Sequence, residues 1–381
     1  MLIFENKPIL YSLFVFTGSA IGIIAKILQS IKSYGTKFKH PFMYSFILFS
    51  SETTGILTYK YCFQKEDEES LPKEESITKL KPKLYIFTIP AIFDLFSSFF
   101  GMLSYENLPA SITTMFDGGN TICVFLLSLF FLKNTHSKNN FIGVFLLIIG
   151  LFFISLSAIK DKNNSVDEES ENKSGFVQTI VGIFCCIFCN IFTALHAITE
   201  EYIFKTRIIH PIKLIGFEGL FGTIFSFVFI LFFSHIKFSR SIDFLCIKDK
   251  ETGNVYIENF YIAIKQIIEE KQILFLLVLL FFLFIIYNYC YITITKVTNA
   301  TTNIVLYNLT ALFIWIFFLI PIHKQENQER IGILQCIGFL ILILGVCVYN
   351  DVFTKNANLD ESEIKNLITE TSQITDDSLV I

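Results

Sequence analysis

The stretch 108-LPASITTMFDGGNTICVFLLSLFFLKNTHSKNNFIGVFLLIIG-150 recurs in altered form as 297-VTNATTNIVLYNLTALFIWIFFLIPIHKQENQERIGILQCIGFLILILG-345. Each copy opens with an alanine followed by a hydroxyl residue, continues as an apolar run, and ends on a pair of glycines. The paired glycines are seven residues apart in both copies, at Gly143 and Gly150 and at Gly338 and Gly345. These stretches predict an internal repeat that divides the chain into two related halves.

Ten apolar segments make up most of the chain. Each is about 20 residues long, which is the length that a helix needs to cross a hydrocarbon core. They are apolar throughout and do not alternate as barrel strands do. Only 17% of the residues are charged and 53% are hydrophobic, which is typical of an all-α membrane protein and not of a soluble domain. The predicted spans are 9–29, 41–63, 84–104, 110–132, 140–159, 176–199, 212–234, 272–294, 300–320 and 331–350.

The spans divide equally between the halves, five in each. An odd number of spans places related halves in opposite orientations, so we predict ten transmembrane helices arranged as two inverted five-helix repeats. The first repeat covers residues 1–159 and the second covers 176–350, with the loop 160–175 between them and an acidic, disordered tail at 351–381. This arrangement is typical of a secondary transporter whose central site alternates its access between two sides. No cleavage site of small residues follows the first span, so we expect it to be retained.

Two short motifs indicate the orientation, because positive charges outside the spans are split almost evenly between the two sides. The sequons Asn163-Asn164-Ser165 and Asn172-Lys173-Ser174 both lie in the inter-repeat loop, where glycosylation requires a lumenal position. The tail contains 363-EIKNLI-368, which is similar to an acidic dileucine sorting signal that acts in the cytosol. We therefore predict cytosolic termini, a lumenal inter-repeat loop, and an endo-lysosomal or vacuolar membrane.

Polar side chains inside the spans are the candidate site residues, because a charge there costs about 2.5–3.5 kcal/mol on insertion scales. Asp117 and Glu218 stand beside glycines, which permit close backbone approach. We predict a water-filled cavity in which an acid binds a proton or a cationic part of the solute. The alternatives are a structural ion pair, for example between Lys26 and an acid, snorkelling of a charged side chain towards a helix end, or hydrogen bonding between helices. Glu200 and Glu201 are expected in solvent at the membrane interface. The predicted cavity residues are Lys26, Glu52, Asp94, Asp117, His196, Glu218, Asn303 and Tyr307.

Enzyme chemistry is not indicated by any motif in the sequence. There is no glycine-rich phosphate loop, no HExxH zinc motif and no nucleophile elbow, so we predict neither enzymatic activity nor a cofactor. Cys185, Cys186 and Cys189 lie within a span, where helix packing is favoured over a metal site. The net charge of −4 gives no reason to expect a nucleic-acid partner. The expected partners are the lipid bilayer and a small-molecule substrate, with protons as the candidate coupling ion and a homodimer left open.

Several spaced motifs carry a resemblance to a known family. They are Phe16-Thr17-Gly18-Ser19 with Lys26; His40-Pro41-Phe42 followed by Glu52; Pro90-Ala91 with Asp94; Glu200-Glu201-Tyr202; His210-Pro211; Glu218-Gly219-Leu220-Phe221-Gly222; Ala300-Thr301-Thr302; and Gly338-Phe339-Leu340 with Tyr349-Asn350. With these motifs the chain resembles the drug/metabolite transporter superfamily over about residues 12–350. Within it, the closest likeness is to the F branch of solute carrier family 35, which is related to nucleotide-sugar transporters and to chloroquine-resistance transporters. The resemblance implies ten helices, a central cavity built from both halves, cytosolic termini and endo-lysosomal membranes.

The chain departs from the family's pattern at positions that are usually cationic. Asp117 stands where the family usually has arginine in span four, and Asn303, Tyr307 and Thr310 stand where span nine would have Arg, Asp and Arg. This change favours a cationic or zwitterionic solute. The favoured function is therefore a gradient-driven secondary transporter of a small organic solute, and nucleotide sugars are the alternative substrate class. The alternative function is a non-transporting membrane scaffold or receptor. A scaffold would have no need to keep deep, unpaired acids.

Overall fold

The structure is a computed structural model of the 381-residue chain. It describes residues 7–64, 83–132, 137–163, 169–207, 209–238, 246–297, 300–320 and 332–350. The charged loop 65–82 and the acidic tail 351–381, with its predicted sorting motif, lie outside these residues. Within them the chain is almost entirely helical, with two short hairpins at one end of the helical bundle.

Each of the ten predicted spans contains helix among the described residues. A π-helical turn extends α2 from Tyr59 to Phe63, a second extends α5 from Ser128 to Leu132, and a 3-10 turn at Leu84–Phe87 leads into α3. The helices are α1 Lys7–Ser30, α2 Pro41–Thr58, α3 Thr88–Asn107, α4 Ala110–Phe116, α5 Gly119–Leu127, α6 Lys138–Asn163, α7 Glu169–Thr206, α8 Pro211–Ser234, α9 Phe260–Glu269, α10 Lys271–Val297, α11 Ala300–Leu319 and α12 Ile333–Tyr349.

Seven helical segments of the described residues are long and apolar enough to cross a membrane, so the chain is a multi-pass membrane protein. Two shorter apolar helices, Leu309–Leu319 and Ile333–Tyr349, lie in the second half. The helix α2 carries the polar run Ser50-Ser51-Glu52-Thr53-Thr54 in its middle, which lowers its hydropathy. The seven segments are Lys7–Ser30, Leu84–Asn107, Ala110–Phe130, Lys138–Lys160, Gly175–Phe204, Pro211–Ser234 and Lys271–Tyr291.

Helices α6 and α7 reach into the predicted inter-repeat loop 160–175. The first ends at Asn163 and the second begins at Glu169, so the residues between the described helices are 164–168. The added helical residues include Lys160, Lys162 and Glu171, which belong to residue types with good helix propensity. Polar residues of this kind extend a helix beyond the apolar run that marks its membrane-spanning part.

The polar sequence Asp117-Gly118-Gly119-Asn120 interrupts the fourth span, as the sequence predicts. Helix α4 ends at Phe116 and α5 begins at Gly119. Both glycines lie against neighbouring helices: a Cβ on Gly118 would be 2.9 Å from a methyl group of Leu342, and one on Gly119 would be 3.0 Å from the amide nitrogen of Asn190. The break is therefore packed on both sides by α12 and α7.

The four repeat glycines form the contact between α6 and α12. A Cβ on Gly150 would lie 2.9 Å from the carbonyl oxygen of Gly338, and a Cβ on Gly338 would lie equally close to that of Gly150. A Cβ on Gly143 would lie 2.6 Å from the backbone of Tyr349, and one on Gly345 would lie 3.0 Å from the Gly143 carbonyl oxygen. The two helices therefore run antiparallel with their backbones in contact at two places.

Helix α8 packs against α2 through glycines at every third position. A Cβ on Gly222 would meet the ring of Phe49, and one on Gly216 would lie 2.6 Å from the backbone nitrogen of Ile56. Because the residue number rises along α8 as it falls along α2, these helices are also antiparallel. Close approach of this kind is typical of small residues between membrane helices.

Helix α7 is antiparallel to α3 and parallel to α4. The hydroxyls of Ser97 in α3 and Thr193 in α7 are hydrogen-bonded at 2.6 Å, while a Cβ on Gly182, near the start of α7, would lie 3.1 Å from the Cβ of Asn107 at the end of α3. The amide of Asn190 donates to the carbonyl oxygen of Phe116 at 2.8 Å, at the far end of α4.

Helix α1 packs against α11 and α10. It is parallel to α11, since a Cβ on Gly18 would lie 3.0 Å from Thr310 and one on Gly22 would lie 2.6 Å from Ile314. It is antiparallel to α10, because its first turns share an apolar cluster with the end of α10 and its last turns share one with the beginning of α10.

A small folded segment, which we call the polar cap, covers the helix ends at the α1–α2 and α8–α10 connections. It consists of the hairpin β1 (Lys32–Ser33) and β2 (Thr36–Lys37), the hairpin β3 (Ile247–Lys248) and β4 (Val255–Tyr256), and α9. The turn of the first hairpin has positive φ at Tyr34 and Gly35, a conformation that glycine adopts without cost. At the surface of the polar cap, hydrogen bonds from Lys265 and Tyr34 hold the pKa of Glu251 below its ordinary value.

Helix α9 is amphipathic, with one face buried and the other exposed. The side chain of Asn259 caps it by accepting the backbone N–H groups of Tyr261 at 3.0 Å and Ile262 at 3.1 Å. Its buried face, which includes Ile262, points into the polar cap, and the exposed residues include Ile268.

A buried hydrogen-bond network holds the polar cap to the bundle. The ring of His40 pairs with the carboxylate of Glu258 through Nδ1 and lies 2.9 Å from the amide oxygen of Gln266 through Nε2. The second oxygen of Glu258 accepts the backbone N–H of Phe42 at 3.0 Å, and Gln266 donates to the carbonyl oxygen of Ser33 at 3.0 Å. The side chains of His40 and Glu258 are fully buried. The network therefore ties the beginning of α2 to the segment between α8 and α10.

Candidate functional site

Five ionisable side chains from four helices meet inside the bundle. They are Glu52 on α2, Asp94 on α3, His196 and Glu200 on α7, and Glu218 on α8, and we call them the acidic cluster. All four of the other side chains lie within electrostatic range of Glu52. The acidic cluster therefore brings together residues that are far apart in the sequence and that come from both predicted halves.

The tightest contact in the acidic cluster joins α7 to α8. The imidazole Nε2 of His196 lies 2.5 Å from a carboxylate oxygen of Glu218 and 3.9 Å from one of Glu200. His196 and Glu200 are four residues apart on one helix, so they lie on the same face. Glu218 is 3% exposed, which places its carboxylate in the interior of the bundle.

The glycine packing of α8 explains why Glu52 joins this contact. A Cβ on Gly219 would lie 2.5 Å from the Cβ of Glu52, so the two helices touch at this residue. Glu218 precedes Gly219 in the chain and therefore lies at the same depth as Glu52. The amide of Asn288 on α10 donates to Glu52 at 3.1 Å, which adds a fifth helix to the site.

The pairing of α3 with α7 places Asp94 in the acidic cluster. Ser97 and Thr193 are hydrogen-bonded across these antiparallel helices. One turn back from Ser97 is Asp94, and one turn on from Thr193 is His196, so the two ionisable side chains face each other. The charges of His196 and Glu218 act on the Asp94 carboxylate, in agreement with this placement.

Asp117 and Tyr307 form a separate polar pair. The Tyr307 hydroxyl donates to Asp117 at 3.0 Å, at the break between α4 and α5. Tyr287 lies within electrostatic range of both Asp117 and Asp94, so it stands between this pair and the acidic cluster. Asn303 lies on α11, but its side chain is outside the part of the chain that the structure describes.

Lys26 is placed at the connection between α3 and α4. Its ammonium donates to the carbonyl oxygen of Tyr105 and to that of Leu108, the latter at 2.7 Å. The last carbonyl groups of a helix have no partner within the helix, so a lysine here satisfies acceptors that would otherwise be unpaired. Lys26 thus has a clear structural role at the end of α3.

The expectation that Glu200 is solvated at the membrane interface is wrong. The residue is 9% exposed and faces His196. Helix α7 continues to Thr206, beyond the predicted end of its span, so Glu200 lies inside a packed helix. The spacing of four residues from His196 was the signal in the sequence that could have revealed this position.

The composition of the acidic cluster determines which ligands it favours. Four carboxylates face one imidazole, so its electrostatic potential attracts protons and cations and repels anions. A shallow, partly open recess between α2, α8 and α10 borders the acidic cluster, and its lining includes Glu52, Asn288 and Tyr289. The site therefore has both a charge that selects cations and adjacent space.

A family model described as solute carrier family 35 matches residues 9–250, which is more than half of the chain. The chain belongs to solute carrier family 35. Solute carrier family 35 member F6 of Mus musculus is 26% identical over 352 residues, covering 90% of this chain and 87% of that protein. The Homo sapiens protein of the same name is 24% identical over 349 residues, covering 90% and 88%. An uncharacterized Schizosaccharomyces pombe protein is 23% identical over 282 residues, covering 74% and 79%.

Membership of solute carrier family 35 confirms the resemblance that the sequence motifs carry. It indicates a membrane transporter and not an enzyme. All five residues of the acidic cluster lie within the matched range 9–250, whereas Asn303 and Tyr307 lie beyond it.

Proposed function

We propose that this member of solute carrier family 35 is a secondary transporter that moves a small cationic or zwitterionic organic solute across an endomembrane by alternating access. The acidic cluster is the observation that carries the proposal. It draws Glu52 and Asp94 from the first half of the chain and His196, Glu200 and Glu218 from the second. A site shared by two halves changes its shape and access when the halves move relative to each other.

The helix pairs support two inverted five-helix repeats at residues 1–159 and 176–350. If the halves are exchanged, α1 corresponds to α7, α2 to α8, α3 to α10, α4–α5 to α11 and α6 to α12. The antiparallel pair α1–α10 then becomes α7–α3, which is also antiparallel, and the parallel pair α1–α11 becomes α7–α4, which is also parallel. In the pairs α2–α8 and α6–α12, the exchange replaces each helix by its own partner, so both pairs are unchanged. An axis in the membrane plane produces this relation.

The charge of the acidic cluster supports a cationic or zwitterionic solute over a nucleotide sugar. Buried carboxylates are costly unless a cation or a proton neutralises them. An anionic nucleotide would add negative charge to the four carboxylates already present. Protons are the coupling ion that this chemistry favours, because the same carboxylates can hold either a proton or the amine of a solute.

Uptake by proteoliposomes tests the proposed function. The purified full chain is reconstituted, a pH gradient is imposed, and radiolabelled cationic amines, amino acids, peptides and nucleotide sugars are offered in turn. We expect gradient-dependent uptake of an amine or an amino acid. Uptake of nucleotide sugars alone would contradict the argument from charge, and no uptake of any class by correctly folded protein would favour a scaffold or receptor.

Neutralising the acids should separate a transport role from a structural one. We expect Asp94→Asn and Glu218→Gln to lower uptake by at least about tenfold, the effect of about 1.4 kcal/mol, or to shift its pH dependence. The amount of folded protein should stay close to that of the native chain. Glu251→Gln, which removes an exposed carboxylate from the polar cap, is the control. If both acid variants take up solute normally, the acidic cluster does not bind it; if both fail to fold, its role is structural.

The topology is tested by the accessibility of epitope tags. We propose that both termini are cytosolic and that the inter-repeat loop is lumenal in an endo-lysosomal or vacuolar membrane. Tags at residue 1 and residue 381 should bind antibody after the plasma membrane alone is permeabilised, and a tag beside Val166 should bind only after all membranes are opened. Detection of either terminus only after full permeabilisation would reverse the orientation.

A further inference from the structure

The contact between α7 and α8 has the composition of a metal site. His196, Glu200 and Glu218 each offer one ligand atom, and these atoms all lie within 4.8 Å of one another. Imidazole nitrogen and carboxylate oxygen are both ligands of divalent transition metals. Two of the three residues are a helical turn apart on α7, so one rigid helix face presents both of them.

We propose that His196, Glu200 and Glu218 bind a divalent transition-metal ion, of which Zn²⁺ is the representative. This site goes beyond the proposed solute transport and does not depend on which solute is moved. The metal would bridge α7 and α8, with water or a carboxylate of the neighbouring Glu52 or Asp94 at the remaining position. Three protein ligands with a fourth, open position are a common arrangement for zinc that acts on other molecules.

Two of the ligand atoms are buried side by side and are poorly aligned for a hydrogen bond. His196 Nε2 and Glu218 Oε1 are 2.5 Å apart, yet neither atom makes an aligned hydrogen bond to any residue that the structure describes. Both atoms are buried. Buried polar atoms in native proteins are nearly always satisfied, and a metal ion bound to both residues would satisfy both atoms. Two ligands of one tetrahedral Zn²⁺, each at about 2.0–2.2 Å from the ion, lie farther apart than 2.5 Å, so metal binding requires His196 and Glu218 to move slightly apart.

Charge neutrality also favours a divalent ion. Glu200 and Glu218 carry two negative charges when ionised, and a metal ligand histidine is neutral. A divalent cation would therefore make the complex electrically neutral, which removes most of the cost of holding charges within a membrane bundle. A single proton would leave one charge uncompensated. Mg²⁺ and Ca²⁺ prefer oxygen ligands alone, so the imidazole of His196 selects against them.

Metal titration of the purified full chain tests the site. The protein is prepared with an affinity tag that contains no histidine, and Zn²⁺ alone is added in a calorimeter. We expect one tight site per chain that Mg²⁺ does not fill. Loss of a group that only orients a metal ligand costs about 10–100-fold in affinity. Loss of a ligand itself, in His196→Asn or Glu218→Gln, should therefore weaken binding by at least about 100-fold.

The matched control is Glu201→Gln. Like Glu218→Gln, it removes one carboxylate, but from the position after Glu200 on α7. The three ligands stay in place, so Zn²⁺ affinity should be unchanged. Equal affinity in the native chain, His196→Asn and Glu218→Gln would overturn the proposal, as would absence of a tight site in the native chain.

The visible absorption of bound Co²⁺ tests the site in the native chain, so it can be used even if a ligand variant does not fold. Co²⁺ added to the native chain should give the visible absorption of a four- or five-coordinate site with nitrogen and oxygen ligands, and Zn²⁺ should remove it. A spectrum indistinguishable from that of aqueous Co²⁺ would overturn the site. Because binding is measured without transport, a chain that takes up solute but binds no metal contradicts only this proposal. A chain that binds metal but moves no solute contradicts only the transporter.

Discussion

Replacing Gly219 with alanine should destabilise the folded protein by about 1–3 kcal/mol or more, the range for overpacked interiors. The new Cβ would lie 2.5 Å from the Cβ of Glu52 and 2.6 Å from the backbone nitrogen of Thr53. Neither atom is the end of a flexible side chain, so α2 and α8 would have to move apart. We expect a clear fall in the midpoint of thermal unfolding in detergent and a lower yield of monodisperse protein.

The control for this variant is Gly101→Ala on α3. A Cβ at that position would lie 3.5 Å from the sulfur of Cys189, which is ordinary van der Waals contact. Alanine also has the better helix propensity, by about 1 kcal/mol in soluble helices, so this variant should be as stable as the native chain or more stable. Equal melting of Gly219→Ala and Gly101→Ala would show that α2 and α8 do not touch at Glu52.

Replacing His40 with alanine should cost about 3–5 kcal/mol of folding free energy, the loss measured when one partner of a buried charged pair is removed. The variant leaves the Glu258 carboxylate without its partner in a place where both side chains are fully buried. The amide oxygen of Gln266 also loses the imidazole nitrogen that lies 2.9 Å away. We expect early unfolding of the polar cap, seen as fast hydrogen exchange at the backbone amides of α9.

Glu251→Gln serves as the comparison for His40→Ala. Glu251 pairs with Lys265 at 2.8 Å in the same polar cap, but both side chains are about half exposed or more. Exposed ion pairs contribute little to stability, so hydrogen exchange in α9 should stay slow. A polar cap that loosens equally in both variants, or in neither, would contradict the importance given to the buried pair.

The long helices could be predicted from the sequence because continuous apolar runs of this length have few other solutions. The break at Asp117-Gly118-Gly119-Asn120 was also foreseeable, since paired glycines in a polar run weaken a helix. The hairpins of the polar cap were not foreseen. Their strands have two residues each, too few for an alternating pattern to appear.

The candidate site was only partly predictable, because its grouping depends on helix rotation and depth. Asp94 and Glu218 stood out as acids deep within apolar runs. The sequence did not reveal that Asp117 would pair with Tyr307 instead of joining them. The sequence also did not separate Glu200 from Glu201, although adjacent residues of a helix point in different directions. Distances between helices decide such groupings, and these come from packing contacts such as Gly219 against Glu52.

The buried pair of His40 and Glu258 also affects how fast the helix bundle can open. The polar cap ties together the ends of α1, α2, α8 and α10, so these four helix ends cannot separate one by one. An opening that separates the pair before water reaches it leaves the Glu258 carboxylate buried without its partner, which costs about 3–5 kcal/mol. That cost would lengthen the wait for each opening by roughly 150- to 5,000-fold. The polar cap thus slows the separation of the four helix ends that it joins. Faster conformational changes have to occur at helix ends that it does not join.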